Sequence, residues 1–145
     1  MFYGNDRNRM RGVFFTAWEK HRRGAPLHGI ERVIVAVALA HPEYHCLLDE
    51  PDRYRDRDYP AELGETNPFL HLSMHIAIAE QLSTDRPPGI RAHYRRLVER
   101  TGDEHAAQHQ IMECLGETMW QAQRAGAAPS EIDYLDCVAM LTKEH

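Results

Sequence analysis

The chain has 145 residues, of which 43% are hydrophobic and 27% are charged. A chain of this length and composition can bury one sizeable hydrophobic core without extra covalent support. The net charge of -5 argues against a main role in holding nucleic acid or an anionic membrane, because either role needs a large positive field.

Membrane and compartment signals are weak in this sequence. The longest apolar run is VIVAVALA at residues 33–40, whereas a transmembrane helix needs about 20 apolar residues. The N-terminal residues lack the apolar segment of a secretory signal. Three widely spaced cysteines, Cys46, Cys114 and Cys137, favour free thiols in a reducing compartment. We therefore expect a cytoplasmic protein without a membrane span.

Helix signals dominate from one end of the chain to the other. Apolar residues recur at helical spacing, and Asn67-Pro68 has the residue types that start a helix. The predicted helices cover residues 7–22, 30–39, 42–49, 68–83, 90–100, 103–125 and a C-terminal segment that begins near Ser130. Residues 50–66 are polar and predict an irregular loop. The pattern predicts an all-α protein, a compact bundle of five to seven helices in a single domain over residues 1–145.

Histidine is unusually frequent, with ten residues. Three pairs are spaced four residues apart, namely His41/His45, His71/His75 and His105/His109. Side chains four apart on a helix project side by side, with about 5–6 Å between their Cβ atoms. Two imidazoles placed in this way can bind the same metal ion. Three such pairs on separate helices indicate a metal site more strongly than one pair would.

Two of these pairs lie on the apolar faces of their predicted helices. His71 and His75 share a face with the apolar stripe of their helix, and His105 and His109 do the same on theirs. Glu113 continues the second series at the same spacing. Burying imidazoles costs free energy for each polar nitrogen left unsatisfied, and a metal ion satisfies several of them at once.

The sequence therefore predicts a mononuclear or dinuclear metal site inside the bundle. The predicted ligands are His71, His75, His105, His109 and Glu113, and His41 and His45 complete the site or a second ion position. Zinc, iron and nickel suit paired histidines, and a carboxylate shifts the preference toward iron or manganese. With an open coordination position the ion can activate water or dioxygen, and a small-molecule substrate is then the expected partner. With every position filled by protein, the metal is structural and the protein is not an enzyme.

Other readings of the same residues stay open. The histidines can be core hydrogen-bonding groups of a non-catalytic interaction module that docks a partner or a second copy as a homodimer. Arg91, Arg95, Arg96 and Arg100 allow a weaker hypothesis of RNA binding, although a solvated helix face explains them more simply. Tyr44, Tyr134 and Cys114 are further side chains that can approach a metal site.

Five strings in the sequence are similar to those of a known family. They are HPEYH (41–45), GETNPFLHLSMH (64–75), EQLSTDRPPGIR (80–91), HAAQHQIMECLGE (105–117) and WQAQR (120–124). They resemble a small bacterial family called domain of unknown function 1841, over roughly residues 7–140. The resemblance implies a short, all-helical, cytoplasmic bacterial protein and supplies no activity.

The histidine layout is also similar, more loosely, to hemerythrin-like bundles, which hold two irons between helices with histidine and carboxylate ligands. The order and spacing of the residues differ from that family's motif. Only His109–Glu113 and His75–Glu80 come near its steps. Helical bundles that hold a single metal ion with three histidines offer an equally good analogy. Both analogies concern chemistry and not descent.

Overall fold

In the computed structural model, which describes residues 2–59 and 67–143, those residues form eight α-helices, one short 3-10 helix and no strand. The α-helices are α1 (Phe2–Arg22), α2 (Ile30–Leu39), α3 (His45–Asp49), α4 (Pro51–Tyr54), α5 (Pro68–Thr84), α6 (Ile90–Thr101), α7 (Glu104–Ala125) and α8 (Glu131–Met140), and the 3-10 helix spans Pro42–Tyr44. The prediction of an all-α protein is confirmed. None of these helices combines the length and hydrophobicity needed to cross a bilayer.

The described helices number eight, rather than the predicted five to seven. The addition is α4, which forms at the start of the segment predicted as a loop over residues 50–66. Pro51 occupies its first turn, where the fixed φ angle of proline suits a helix and no backbone N–H is needed. The remainder of that predicted loop, residues 60–66, lies outside the described residues.

The chain divides into two compact units, Met1–Ile76 and Ala77–His145. Helix α5 contributes its first part to unit 1 and its last part to unit 2. The expectation of a single domain over residues 1–145 stays a prediction.

Unit 1 has an aromatic core that joins α1 to α5. Phe69 stacks on Phe14 with 6.3 Å between ring centroids and meets Phe15 edge-on at 5.7 Å. Such aromatic pairs contribute about 0.5–1.5 kcal/mol beyond the area that they bury. The buried members of this core are Phe14, Phe15, Ala17, Trp18, Ile34, Val35, Ala38, Leu47, Leu48 and Phe69. Ala38, near the end of α2, belongs to this core, and His41 follows in the turn after that helix.

A polar contact fastens α1 to α3 at the edge of this core. The Trp18 Nε1–H donates to Asp49 Oδ1 at 2.7 Å, and the Arg22 guanidinium donates to both Asp49 oxygens at 3.0 and 2.8 Å. The hydrogen bond from Arg22 is the main cause that lowers the pKa of the Asp49 carboxyl, and the bond from Trp18 acts in the same direction. Folding therefore favours the ionised carboxylate.

Asp49→Asn should lower the denaturation midpoint of the chain at neutral pH. The amide keeps an acceptor for Trp18 but loses the charge that faces Arg22. Because the folded-state pKa is depressed, the stabilisation is present above the unfolded pKa of about 4 and is lost as the pH falls through the folded value. Urea denaturation from pH 7 down to pH 3 measures the effect, with Asp56→Asn as the matched control. If the stability of Asp49→Asn followed the wild-type dependence on pH, the stabilising role assigned to the Asp49 carboxylate would be wrong.

Unit 2 is built from the last part of α5 and from α6 to α8. Its core contains the fully buried side chains Ile78, Ile90, Leu97, Ile111 and Val138. The Tyr134 hydroxyl donates to Gln81 Oε1 at 2.6 Å and ties α8 to α5. Burial raises the pKa of the Tyr134 phenol to about 12. The folded protein therefore favours the neutral phenol, which keeps the proton that it donates to Gln81.

The cysteines differ from the prediction of three free thiols. Cys114 of α7 and Cys137 of α8 form a disulfide, with 5.7 Å between their Cα atoms, and Cys46 is free and exposed. Spacing along the chain could not show this pairing, because the two helices are brought together by tertiary packing. The cysteines therefore do not support the cytoplasmic expectation, which stays a prediction.

Two arginines of α6 have structural roles. Arg91 donates from Nε and Nη2 to the Leu82 and Ser83 carbonyls at the end of α5, and Arg100 donates from Nη1 to the Leu141 and Lys143 carbonyls. These carbonyls lie at or beyond helix C-termini, where backbone acceptors have no partner within the helix. Half of the arginines considered for RNA binding are thus engaged with the backbone.

Candidate metal-binding histidines

Unit 1 brings three histidines together from two segments. His71 and His75 lie one turn apart on α5, with 4.9 Å between ring centroids. His41 comes from the turn after α2, and its ring centroid lies 4.5 Å from His75 and 5.1 Å from His71. A ring nitrogen of His41 lies within 4.8 Å of one of His75. Metal–imidazole bonds are about 2.0–2.1 Å long, so two nitrogens that bind the same ion lie at most about 4.2 Å apart, and the 4.8 Å limit places this pair near that range.

Local sequence explains why His41 is held so firmly. The chain leaves α2 at Ala40, and Pro42 starts the 3-10 helix, so the intervening His41 is kept out of the helical region, with φ -127° and ψ 71°. The side chain is only 2% exposed, as is that of His75. These two side chains are therefore oriented by the surrounding fold and not by solvent.

A hydrogen bond sets the tautomer of His41. Its Nδ1 lies 2.8 Å from the Val37 carbonyl oxygen. A carbonyl oxygen can only accept, so Nδ1 carries the proton, and in the neutral ring Nε2 carries the lone pair. Metal-bound histidines commonly hold their second ring nitrogen in this way, because the bond orients the ring and raises its basicity.

Tyr44 lies against the same group of rings. It stacks nearly parallel on His41, with 5.7 Å between centroids and 12° between planes, and meets His71 edge-on at 5.9 Å. Burial raises the pKa of its phenol, and the charge of Glu43 acts in the same direction. The sequence marked Tyr44 as a side chain that could approach a metal site, and within unit 1 it does stand beside the histidines.

Unit 2 holds a second pair in the first turns of α7. The ring centroids of His105 and His109 lie 4.1 Å apart, with 71° between planes, and their ring nitrogens lie within 4.8 Å of one another. Asp103 caps this helix by accepting from the His105 backbone N–H at 3.0 Å. The cap sets where α7 begins, and this places His105 and His109 in its first turns. Both rings are more accessible to solvent than His41 and His75.

Other predicted ligands have different surroundings. His45 packs on Trp18 at 4.6 Å, and its Nε2 donates to the Ala38 carbonyl at 2.8 Å. Glu113 lies on the exposed side of α7. Their role as ligands stays a prediction. Of the other two candidates, Tyr134 bonds Gln81 and Cys114 is in the disulfide.

Among the described residues, each unit holds one pair of histidines with nitrogens close together: His41 and His75 in unit 1, and His105 and His109 in unit 2. His71 adds a further imidazole to the group in unit 1. The chemistry available is therefore nitrogen ligation of a transition metal, with a phenol beside one pair of ligands.

Over the described residues this is an all-helical protein with grouped histidines. His41 and His75 meet from two segments, and His105 and His109 lie on neighbouring turns of one helix. The chain belongs to the family described as a domain of unknown function, DUF1841, whose model matches residues 6–140. This confirms the family that the sequence strings indicated. No curated protein matches the chain. No solved structure matches it either.

Proposed function

We propose that this protein binds a transition-metal ion through the His41/His75 pair of unit 1, with the His105/His109 pair of unit 2 as a second candidate group of ligands. The observation that carries the proposal is the convergence of His41 and His75, two histidines from different segments, both 2% exposed. A buried pair of imidazoles from two segments brings nitrogen ligands together away from solvent, as protein metal sites do.

The tautomer of His41 supports the same proposal. Its protonated Nδ1 is bound to Val37, so Nε2 has the lone pair that a metal needs. His105 and His109 offer two further nitrogens from consecutive turns of one helix in unit 2. Each pair offers two nitrogens, which is half of the coordination number that zinc prefers in tetrahedral sites.

The ligand type bears on the identity of the ion. Imidazole suits zinc, iron, nickel and copper, whereas manganese prefers carboxylate, carbonyl and water ligands. Of the ions predicted from the sequence, histidine ligands therefore favour zinc, iron or nickel over manganese. A role for Glu113 would shift this preference back toward iron or manganese.

The direct test is metal analysis of tag-free protein purified without chelators. Inductively coupled plasma mass spectrometry should find close to one ion per chain, and an absorption spectrum of the same sample reports iron or nickel. Protein stripped with a chelator should take up one equivalent on reloading. Failure to take up zinc, iron, nickel or copper at micromolar concentration would contradict the proposal and favour a metal-free interaction module.

Stoichiometry also shows which pair binds the ion. One ion per chain that is lost in His75→Ala and kept in His109→Ala means that the unit 1 pair binds it. Two ions, one lost in a His75→Ala variant and the other in a His109→Ala variant, would mean that each pair binds alone. The exposed His28 provides the control, because His28→Ala removes an imidazole that stands apart from both pairs.

A further inference from the structure

We propose that the Cys114–Cys137 disulfide is a redox-controlled tether, and that its reduction by a dithiol releases α8 from the rest of unit 2. The released state leaves α7 folded and exposes the faces of α6 and α7 on which α8 packs. The proposal concerns unit 2 alone and is independent of the proposed metal site.

Few side chains hold α8 in place besides the disulfide. Helix α8 lies wholly within the described residues, and Tyr134 and Val138 are its only buried side chains. Helix α7, on which it packs, buries five. A helix of ten residues is also too short to be stable in water by itself. Elements with few buried apolar contacts open locally at low cost, so α8 depends on the covalent bond to stay in place.

The position of the disulfide suits a tether. Cys137 lies between Tyr134 and Val138 in sequence, and helical spacing places Tyr134 on the same face as both of the others. Cys114 is buried near the middle of α7. The connection between the two helices, residues 126–130, is exposed throughout and adds no buried contact. Movement of α8 away from α7 therefore requires the bond to break.

The burial of the two sulfurs determines which one a reductant can attack. Cys114 is only 2% exposed, whereas Cys137 is half-buried. A thiolate of the dithiol attacks Sγ of Cys137, the S–S bond breaks, and Cys114 leaves as a thiolate that takes a proton. The second thiol of the reductant then displaces Cys137 from the mixed disulfide. The dithiol is oxidised to its own disulfide, and its two protons end on the two cysteines.

Hydrogen bonds at both ends of α8 remain after reduction. The Tyr134 hydroxyl donates to Gln81, and Arg100 donates to the Leu141 and Lys143 carbonyls just beyond the helix. The net contribution of such bonds is modest, because the separated groups bond to water instead. They therefore do not replace the covalent bond.

The experiment is hydrogen–deuterium exchange of the full chain, followed by mass spectrometry, with and without dithiothreitol. Reduction should make the amides of residues 131–140 exchange about a hundredfold faster, which is the factor expected when a cross-link of this loop length is lost. Amides of residues 107–118 in α7 should change by less than about threefold. Removal of the reductant and reoxidation should restore the protection of α8.

Thiol counting and two variants decide the interpretation. Native protein should show one reactive thiol before reduction and three after it, and a bond that survives millimolar dithiothreitol would overturn the proposal. Cys114→Ala/Cys137→Ala should exchange rapidly in α8 without reductant, and Cys46→Ser should respond to dithiothreitol as wild type does. Unchanged exchange in α8 after reduction would overturn the release. Equal acceleration in α7 and α8 would make the disulfide a general brace of unit 2 and would also overturn it.

Discussion

Saturation with the proposed metal ion should stabilise the folded chain by about 2.7 kcal/mol when the free ion is at 100 times its Kd. The reason is linkage: the grouped ligands exist in the folded chain, so the ion binds that state in preference to the unfolded one. Thermal unfolding with and without added zinc, iron(II) or nickel measures the shift. An excess of chelator should reverse it. Replacing both His75 and His109 with alanine should abolish the shift and remove the bound metal.

Controls distinguish lost ligation from lost folding in this experiment. His75 is buried, so its truncation also creates a cavity and lowers the stability of the metal-free chain. The comparison is therefore the increment that metal adds to each variant, and not the absolute midpoint. His105→Ala lies at a more accessible position and tests the unit 2 pair with less disturbance of packing. An undiminished increment in the His75/His109 double variant would rule out this ligand set.

Loss of the Cys114–Cys137 disulfide should lower the free energy of unfolding by about 3 kcal/mol. The bond closes a loop with a sequence separation of 23 residues, and cross-links of that size remove chain entropy mainly from the unfolded state. For a chain of this length the corresponding drop in Tm is about 10 °C. Differential scanning calorimetry of the Cys114→Ser/Cys137→Ser variant measures the effect.

Cys46→Ser is the matched control, because that cysteine is free and exposed. It should leave the midpoint unchanged under both oxidising and reducing conditions. Wild-type protein treated with dithiothreitol should approach the double serine variant, which separates loss of the bond from the introduction of a hydroxyl at the buried Cys114. If reduction left the wild-type midpoint unchanged, the disulfide would contribute nothing to stability.

Helix positions were predictable because their signals are local. The 30–39 prediction agrees with α2 at both ends, and the Asn67-Pro68 start and the Gly102 and Gly126 ends were readable from residue type. Both glycines adopt positive φ, at 72° and 63°, which is the conformation that ends a helix with little steric cost. Helix α4 was missed since four residues give too short a pattern for periodicity to detect.

The pairing of His71 with His75 and of His105 with His109 was also local, because helical spacing alone places residues four apart side by side. The same reasoning paired His41 with His45 and failed to show where either side chain goes. His41 turns to His75, and His45 turns to Trp18. Their directions depend on the turn between α2 and α3 and on which helix packs against it.

The sequence by itself determined the all-α class, most helix bounds and the two histidine pairs within helices. Only the tertiary structure decided that His41 joins His75, that Tyr44 borders them, and that Cys114 meets Cys137. Spacing along one helix follows from 3.6 residues per turn, whereas contacts between segments follow from packing the apolar faces of several helices at once. Contacts between segments therefore cannot be predicted from any single stretch of sequence.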